Sequence, residues 1–211
     1  RMRGDVDVLV FDIQDIGVRF YTYISTMGLA MQAAAEAGIA FVVLDRPNPL
    51  GGEQVAGFVT DPALISFVGQ YPIPIQHGLT VGELARMIKG ERWLAGLDRL
   101  DLTVVEMKGW KRAMRWPDTG LAWVATSPNI PTFEAALVYP GIGIVGELAV
   151  NEGRGTPTPF SLVGAQWLDG ERLAERLLAA KLEGVTFAVR RYTPRPIAGV
   201  ASKPRFAGET I

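Results

Sequence analysis

The first apolar cluster of the chain is residues 6–11 (VDVLVF), a short run bounded by charge, which predicts a strand covered on both faces. Asp12 ends it. Residues 21–37 are rich in Ala and Met and place Ile24, Met27, Met31 and Ala34 at three-to-four spacing, with Gly38 as the stop; this predicts a helix. Residues 39–44 (IAFVVL) repeat the strand pattern and end in Asp45. A strand–helix–strand unit of this kind has parallel strands and a right-handed crossover, so Asp12 and Asp45 are expected on one sheet edge.

Residues 46–74 are dense in Pro and Gly and read as loop and linker, which sets the expected division of the chain at 75/76. Thr80-Val-Gly-Glu83 matches a capping box that opens a helix to about Lys89. Residues 101–107 alternate as a strand, and 131–138 and 170–182 have helical character. The second of these has Asp169 as N-cap and Leu173, Leu177, Leu178 and Leu182 on its expected inner face. Residues 185–192 alternate as a late strand. Strands alternating with helices define an α/β fold with a mainly parallel sheet first and a smaller mixed α+β domain, residues 76–211, after it.

Composition narrows the function. With 211 residues, 48% hydrophobic and 20% charged, the chain can bury a core. Its 21 Lys and Arg against 22 Asp and Glu leave a net charge of −1, so no bulk field favours nucleic acid or an anionic membrane. Cysteine is absent and His77 is the single histidine, which excludes disulfides, thiolate nucleophiles and Cys/His zinc sites built from this chain alone. The long charge-free run 62–82 is interrupted by Pro72 and Pro74 and carries Gln70, Gln76 and His77, so it does not read as a membrane span. The opening Arg1-Met2-Arg3-Gly4 shows no signal-peptide pattern, and the two ends read as those of an excised segment.

In open α/β sheets, ligands bind beyond the carboxyl ends of the strands, where Asp12-Ile-Gln14-Asp15 and Asp45-Arg46-Pro47-Asn48 are expected. The first cluster continues through Arg19, Tyr21 and Tyr23, placing a cation and phenols beside carboxylates. The competing reading makes these aspartates helix caps and turn formers. His77 suits a proton shuttle or substrate donor, and equally a satisfied structural histidine. Glu83 reads first as a cap. The interleaved cations and indoles of 108–116 suit a sugar ring or a base, or a solvated loop.

In Asn151-Glu152-Gly153-Arg154-Gly155 the glycines permit close approach of backbone to a ligand and Arg154 offers a fork for a carboxylate; the alternative is an internal pair with Glu152 or Glu147. The rigid loop 127–132, which includes Asn129, has starting the next helix as its simplest duty. With only Gly17 at the first strand-to-helix turn, bound NAD or FAD is not expected. No phosphate loop, nucleophile elbow or metal cluster is legible, and no cofactor is expected.

The strings DVLVFDIQDIGVRFYTYISTM, LDRPNPLGG, YPIPIQHGLTVGELA, MKGWKR, SPNIPT, YPG and NEGRGTPTPF, in this order, resemble the exo-β-N-acetylmuramidase family. The resemblance implies a peptidoglycan hexosaminidase that removes terminal N-acetylmuramic acid, with a Rossmann-like catalytic domain, residues 1–75 here, and a C-terminal auxiliary domain. It also implies a periplasmic or secreted location and amino-sugar partners.

Motif positions carried over are Asp12, Asp15, Asp45 and His77 as catalytic candidates, and Gln14, Arg19, Tyr21, Tyr23, Arg46, Asn48, Asn129, Glu152 and Arg154 as substrate-binding candidates. Gln76 stands where the family pattern has Arg, and Gly146-Glu147-Leu148-Ala149 where it has Glu-Gly-Thr-Asn. The family's N-terminal Glu-His-Gly string, the expected source of a catalytic glutamate, has no counterpart in this sequence. Inactivity of the fragment by itself is therefore an expectation.

Overall fold

The computed structural model describes residues 6–198 and 204–211; the opening Arg1-Met2-Arg3-Gly4 lies outside the described residues. The chain forms two compact units, Arg1–Thr126 and Ser127–Ile211.

In the first unit, β1 (Val8–Phe11), α1 (Tyr23–Ala37) and β2 (Ala40–Leu44) make the expected crossover unit. They are followed by α2 (Val81–Gly90) and β3 (Leu102–Val105). The strands form one parallel sheet in the order β1-β2-β3, with Val8 opposite Ala40 and Phe41 opposite Leu102. The two helices stop close to where the sequence places their ends, while β3 is shorter than the expected 101–107. Gly38 takes a left-handed conformation and its N–H closes α1 on Ala34 and Ala35. Thr80 and Glu83 form the reciprocal capping box at the start of α2.

One face of the sheet carries Leu9, Phe11, Phe41, Val43, Leu102 and Val104 into a core built with Met27 and Met31 of α1 and Leu84 and Ile88 of α2. The other face is open: Val8 is 45% and Val10 53% exposed. The two-sided burial expected of residues 6–11 is thus one-sided, because α1 and α2 pack on the same face.

The 46–74 segment is not a linker between domains. Tyr71 and Ile73 belong to the same core, with Tyr71 stacked on Trp93 at 5.7 Å. Hence the compact units divide at 126/127 rather than 75/76: the Pro-rich segment returns to α1 and delivers α2 and β3 to the sheet.

In the second unit, α3 (Phe133–Val145) starts from Thr132, whose hydroxyl accepts from Ala135 N–H, and runs past Pro140, further than the expected stop at 138. α4 (Gly170–Ala179) is capped by Asp169, which accepts from Arg172 N–H. It ends at Ala179, short of the expected 182, and its leucines are less buried than expected, with Leu178 at 51% exposure; Leu182, beyond the helix, is 52% exposed. No strand forms over 185–192. Among the described residues the alternation there has no ladder partner beyond Tyr192, which exchanges two backbone hydrogen bonds with Ile211. Asn151 and Gly164 make a similar isolated antiparallel pair.

Candidate active site

Parallel pairing of β1 with β2 puts Asp12 and Asp45 at the same edge, as the crossover rule requires. Their environments differ. Asp12 is solvent-facing and meets Arg46 in a two-point ion pair, Oδ1 receiving Nε at 2.7 Å and lying 2.6 Å from Nη2.

Asp45 points instead at the start of α2. Its Oδ1 accepts from Gly82 N–H at 2.8 Å and Arg46 N–H at 3.0 Å, and its Oδ2 accepts from the Thr80 hydroxyl at 2.9 Å. Burial pushes its pKa up, opposed by the bonds from Gly82, Thr80 and Arg46, while the Glu83 charge adds to the rise. This is the geometry of a helix anchor.

The loop after β1 and the 71–80 segment are stitched together: Arg19 N–H donates to Ile75 O at 2.8 Å and His77 N–H to Gly17 O at 3.3 Å. That stitch brings two buried groups face to face. Asp15 is 5% and His77 4% exposed, with His77 Nε2 at 3.4 Å from Asp15 Oδ2. Oδ2 also accepts from Gly17 N–H at 2.7 Å. His77 Nδ1 accepts from Leu79 N–H at 3.2 Å, so a neutral ring carries its proton on Nε2, toward Asp15. Neither His77 Nε2, which faces Oδ2, nor Asp15 Oδ1 has a hydrogen-bond partner, and both are buried. Gln14 completes the cluster. Its Nε2 donates to the carbonyls of Asp15 and Pro47, while its Oε1 is a third buried atom without a hydrogen-bond partner.

Asn48 locks the loops in place. It is 3% exposed, donates from Nδ2 to Leu79 O at 2.9 Å and accepts from Leu50 N–H at 3.0 Å. Gly17 (φ 77°) packs directly on it; a Cβ there would stand 2.3 Å from Asn48 Oδ1.

Other sequence candidates are held by the protein itself. Arg19 donates through Nη1 to Phe58 O and Ile73 O, both at 2.7 Å, and lies over the Phe58 ring, while its Nε is buried without a hydrogen-bond partner; burial lowers its pKa. Tyr21 donates to Thr126 Oγ1 and Tyr23 to Thr126 O, their rings meeting edge to face. Arg112, from the cation-and-indole stretch, is committed to Glu83, Gly52 O and Gly78 O.

In the second unit, Glu152 is 2% exposed and forms an ion pair with Arg154, the internal pairing weighed from sequence. Asn151 beneath them is fully buried and bonds Gly153 N–H and the carbonyls of Arg154 and Arg205. Tyr192 donates to Asn151, and burial with the Glu152 charge pushes its pKa up to about 12. Asn129 Oδ1 is buried without a hydrogen-bond partner. Among the described residues no cluster of His, Cys, Asp or Glu fits a metal ion, and no helix is long and apolar enough to cross a membrane.

A parallel sheet with carboxylates, a buried Asp–His couple and unpartnered polar atoms beyond its strand ends defines the class: an α/β protein with a polar site at the carboxyl edge of its sheet. Residues 1–134 match the family model for exo-beta-N-acetylmuramidase NamZ, N-terminal, and residues 137–211 the model for its C-terminal part. The chain belongs to the exo-β-N-acetylmuramidase NamZ family.

The peptidoglycan beta-N-acetylmuramidase NamZ of Bacillus subtilis (strain 168) is 51% identical to it over 193 residues, 92% of this chain and 46% of that protein. A crystal structure of a DUF1343 family protein from Bacteroides fragilis NCTC 9343 matches 99% of this chain and 52% of its own, with 47% identity and a TM-score of 0.89. A second DUF1343 structure from the same organism gives 36% identity and a TM-score of 0.76 over 97% of this chain and 51% of its own. The chain spans about half the length of these relatives.

Proposed function

We propose that this chain is part of a glycoside hydrolase that removes terminal N-acetylmuramic acid from peptidoglycan fragments. Family membership supports the reaction class. The observation that carries the assignment to this site is the trio of buried atoms without a hydrogen-bond partner, Gln14 Oε1, Asp15 Oδ1 and His77 Nε2, at the carboxyl edge of the sheet. Buried polar atoms are almost always hydrogen-bonded, and two acceptors beside one donor suit sugar hydroxyls, which give and receive a proton.

In this reading His77 donates through Nε2, while Asp15 and Gln14 accept from substrate or from the attacking water. The exposed carboxylate of Asp12, oriented by Arg46, stabilises positive charge developing on the ring. Asp45 acts through the α2 start rather than on the sugar. Glycosidases usually pair two carboxyl groups about 5–10 Å apart, although an N-acetyl sugar can supply its own nucleophile; we assign the leaving-group acid to a residue of the longer protein outside this sequence. A cell-wall substrate supports a periplasmic or secreted location.

The test is Asp15→Asn in the full-length protein, assayed on a chromogenic N-acetylmuramide. Asn retains an acceptor for Gly17 N–H, so the fold should survive while kcat falls about 10²-fold. Near-normal turnover would remove Asp15 from the site. A wild-type protein that binds the sugar without cleaving it would point to a non-catalytic amino-sugar binding module instead.

A further inference from the structure

In the 151–160 loop the sequence offers close approach of backbone to a ligand and Arg154 as a fork for a carboxylate or as half of an internal ion pair. The structure separates these roles. Arg154 is neutralised by the buried Glu152. The close backbone approach is to the 190–197 segment: Arg195 N–H donates to Gly155 O at 2.8 Å, and a Cβ on Gly155 (φ 86°) would stand 2.5 Å from Arg195 O.

Between the two segments lies a cavity of about 610 Å³, within the usual size range of small-molecule sites. Arg190 and Arg195 line it with the threonines 156, 158 and 193, and among the described residues no carboxylate lines it. Among the described residues neither arginine has an ion-pair partner. Prolines 157, 159 and 196 stiffen its walls and offer apolar surface.

We propose that this cavity binds the carboxylate-bearing end of an acidic saccharide, with Arg190 and Arg195 as its specificity-determining residues. Two guanidinium groups without a competing acid favour a carboxylate, threonine hydroxyls suit a polyhydroxylated ring, and rigid proline faces accept the C–H side of that ring. The proposal rests on the glycosidase reading for the sugar but not for the carboxylate.

The test compares binding of N-acetylmuramic acid, its methyl ester and N-acetylglucosamine by calorimetric titration, in the full-length wild-type protein and the Arg190→Gln/Arg195→Gln double variant. The ester keeps the size of the acid and removes its charge. The wild type should prefer the free acid over both neutral sugars by about tenfold or more, the preference should weaken with added salt, and the double variant should lose it. Both arginines are exposed, so the melting temperature should not move.

Equal wild-type affinity for acid and ester, or a preference that survives in the double variant, would overturn the proposal. Hydrolysis of a chromogenic N-acetylmuramide in parallel separates the two readings. Turnover with a KM unchanged in the double variant sinks the cavity and leaves the glycosidase standing. Loss of acid preference in a protein that never cleaves the muramide upholds the cavity and sinks the glycosidase.

Discussion

Replacing Asp45 separates two roles open to a strand-end carboxylate. Its oxygens accept from Gly82 N–H, Arg46 N–H and the Thr80 hydroxyl, so Asp45→Ala leaves the first turn of α2 without its anchor and Thr80 without the acceptor that orients it. Loss of a cap-like interaction costs about 1 kcal/mol, and a partly buried donor left unmet about 1–2 more, giving about 2–3 kcal/mol. For a chain of this length each kcal/mol moves Tm by about 2–4 °C, so scanning calorimetry should show a fall of about 4–12 °C.

Asp45→Asn keeps the Oδ1 acceptor and should lose about 1 kcal/mol, with turnover of the full-length protein changed less than threefold or so. The pH dependence adds an independent check. The folded-state pKa of Asp45 is raised, so the unfolded chain ionises first, and this group's contribution is complete below its ordinary value of 3.8 and is lost as pH rises through the folded value. The Asn variant lacks that loss, so the stability gap between wild type and variant should narrow on raising pH through this window. A Tm within 2 °C or so of wild type for Asp45→Ala, combined with a 10²-fold fall in kcat, would refute the anchoring argument and make Asp45 a reacting group.

Asp12→Asn should behave oppositely: its ion pair with Arg46 is solvent-exposed and worth about 0–1 kcal/mol, so melting should barely shift while kcat falls about 10²-fold if the charge acts on the sugar. Gly17→Ala should destabilise the first unit by about 2 kcal/mol or more, read by urea denaturation, because the added methyl meets Asn48 and the backbone is left-handed there. Tyr192 has a folded pKa raised to about 12 from 10.0, so its contribution to stability holds below pH 10 and is lost as pH rises through about 12. Tyr192→Phe should flatten alkaline unfolding in that range, followed by fluorescence, and an unchanged alkaline profile would remove the phenol from that transition.

Local signals in the sequence were the ones that carried through. The Thr80–Glu83 box and the Gly38 stop depend on residues within one helical turn, and the shared edge of Asp12 and Asp45 follows from the handedness of a single crossover. The Asp15–His77 couple could not be read from spacing. It exists because the Pro-rich segment folds back and bonds Arg19 and Gly17 across the chain, a long-range event that turn residues permit without specifying.

The same return explains why a division at 75/76 misjudged the compact units. Alternation at 185–192 misled for a related reason: period-two patterning marks a strand only where a neighbour completes the ladder, and here the partner is little more than Ile211. Arg154 was legible as a ligand fork or as half of an internal pair, and the structure shows it paired with the buried Glu152 beside it.

The contact between Gly17 and Asn48 restricts how this scaffold can be varied. A library that diversifies the loop after β1 while holding the loop after β2 fixed can place nothing larger than hydrogen at position 17, since Asn48 already fills that space and ties itself to Leu79 and Leu50. Exchanging the loop after β1 for one with a larger residue at position 17 therefore requires a matching change at position 48 in the same variant. The two loops, far apart in the chain, can be varied only as a single unit of shape.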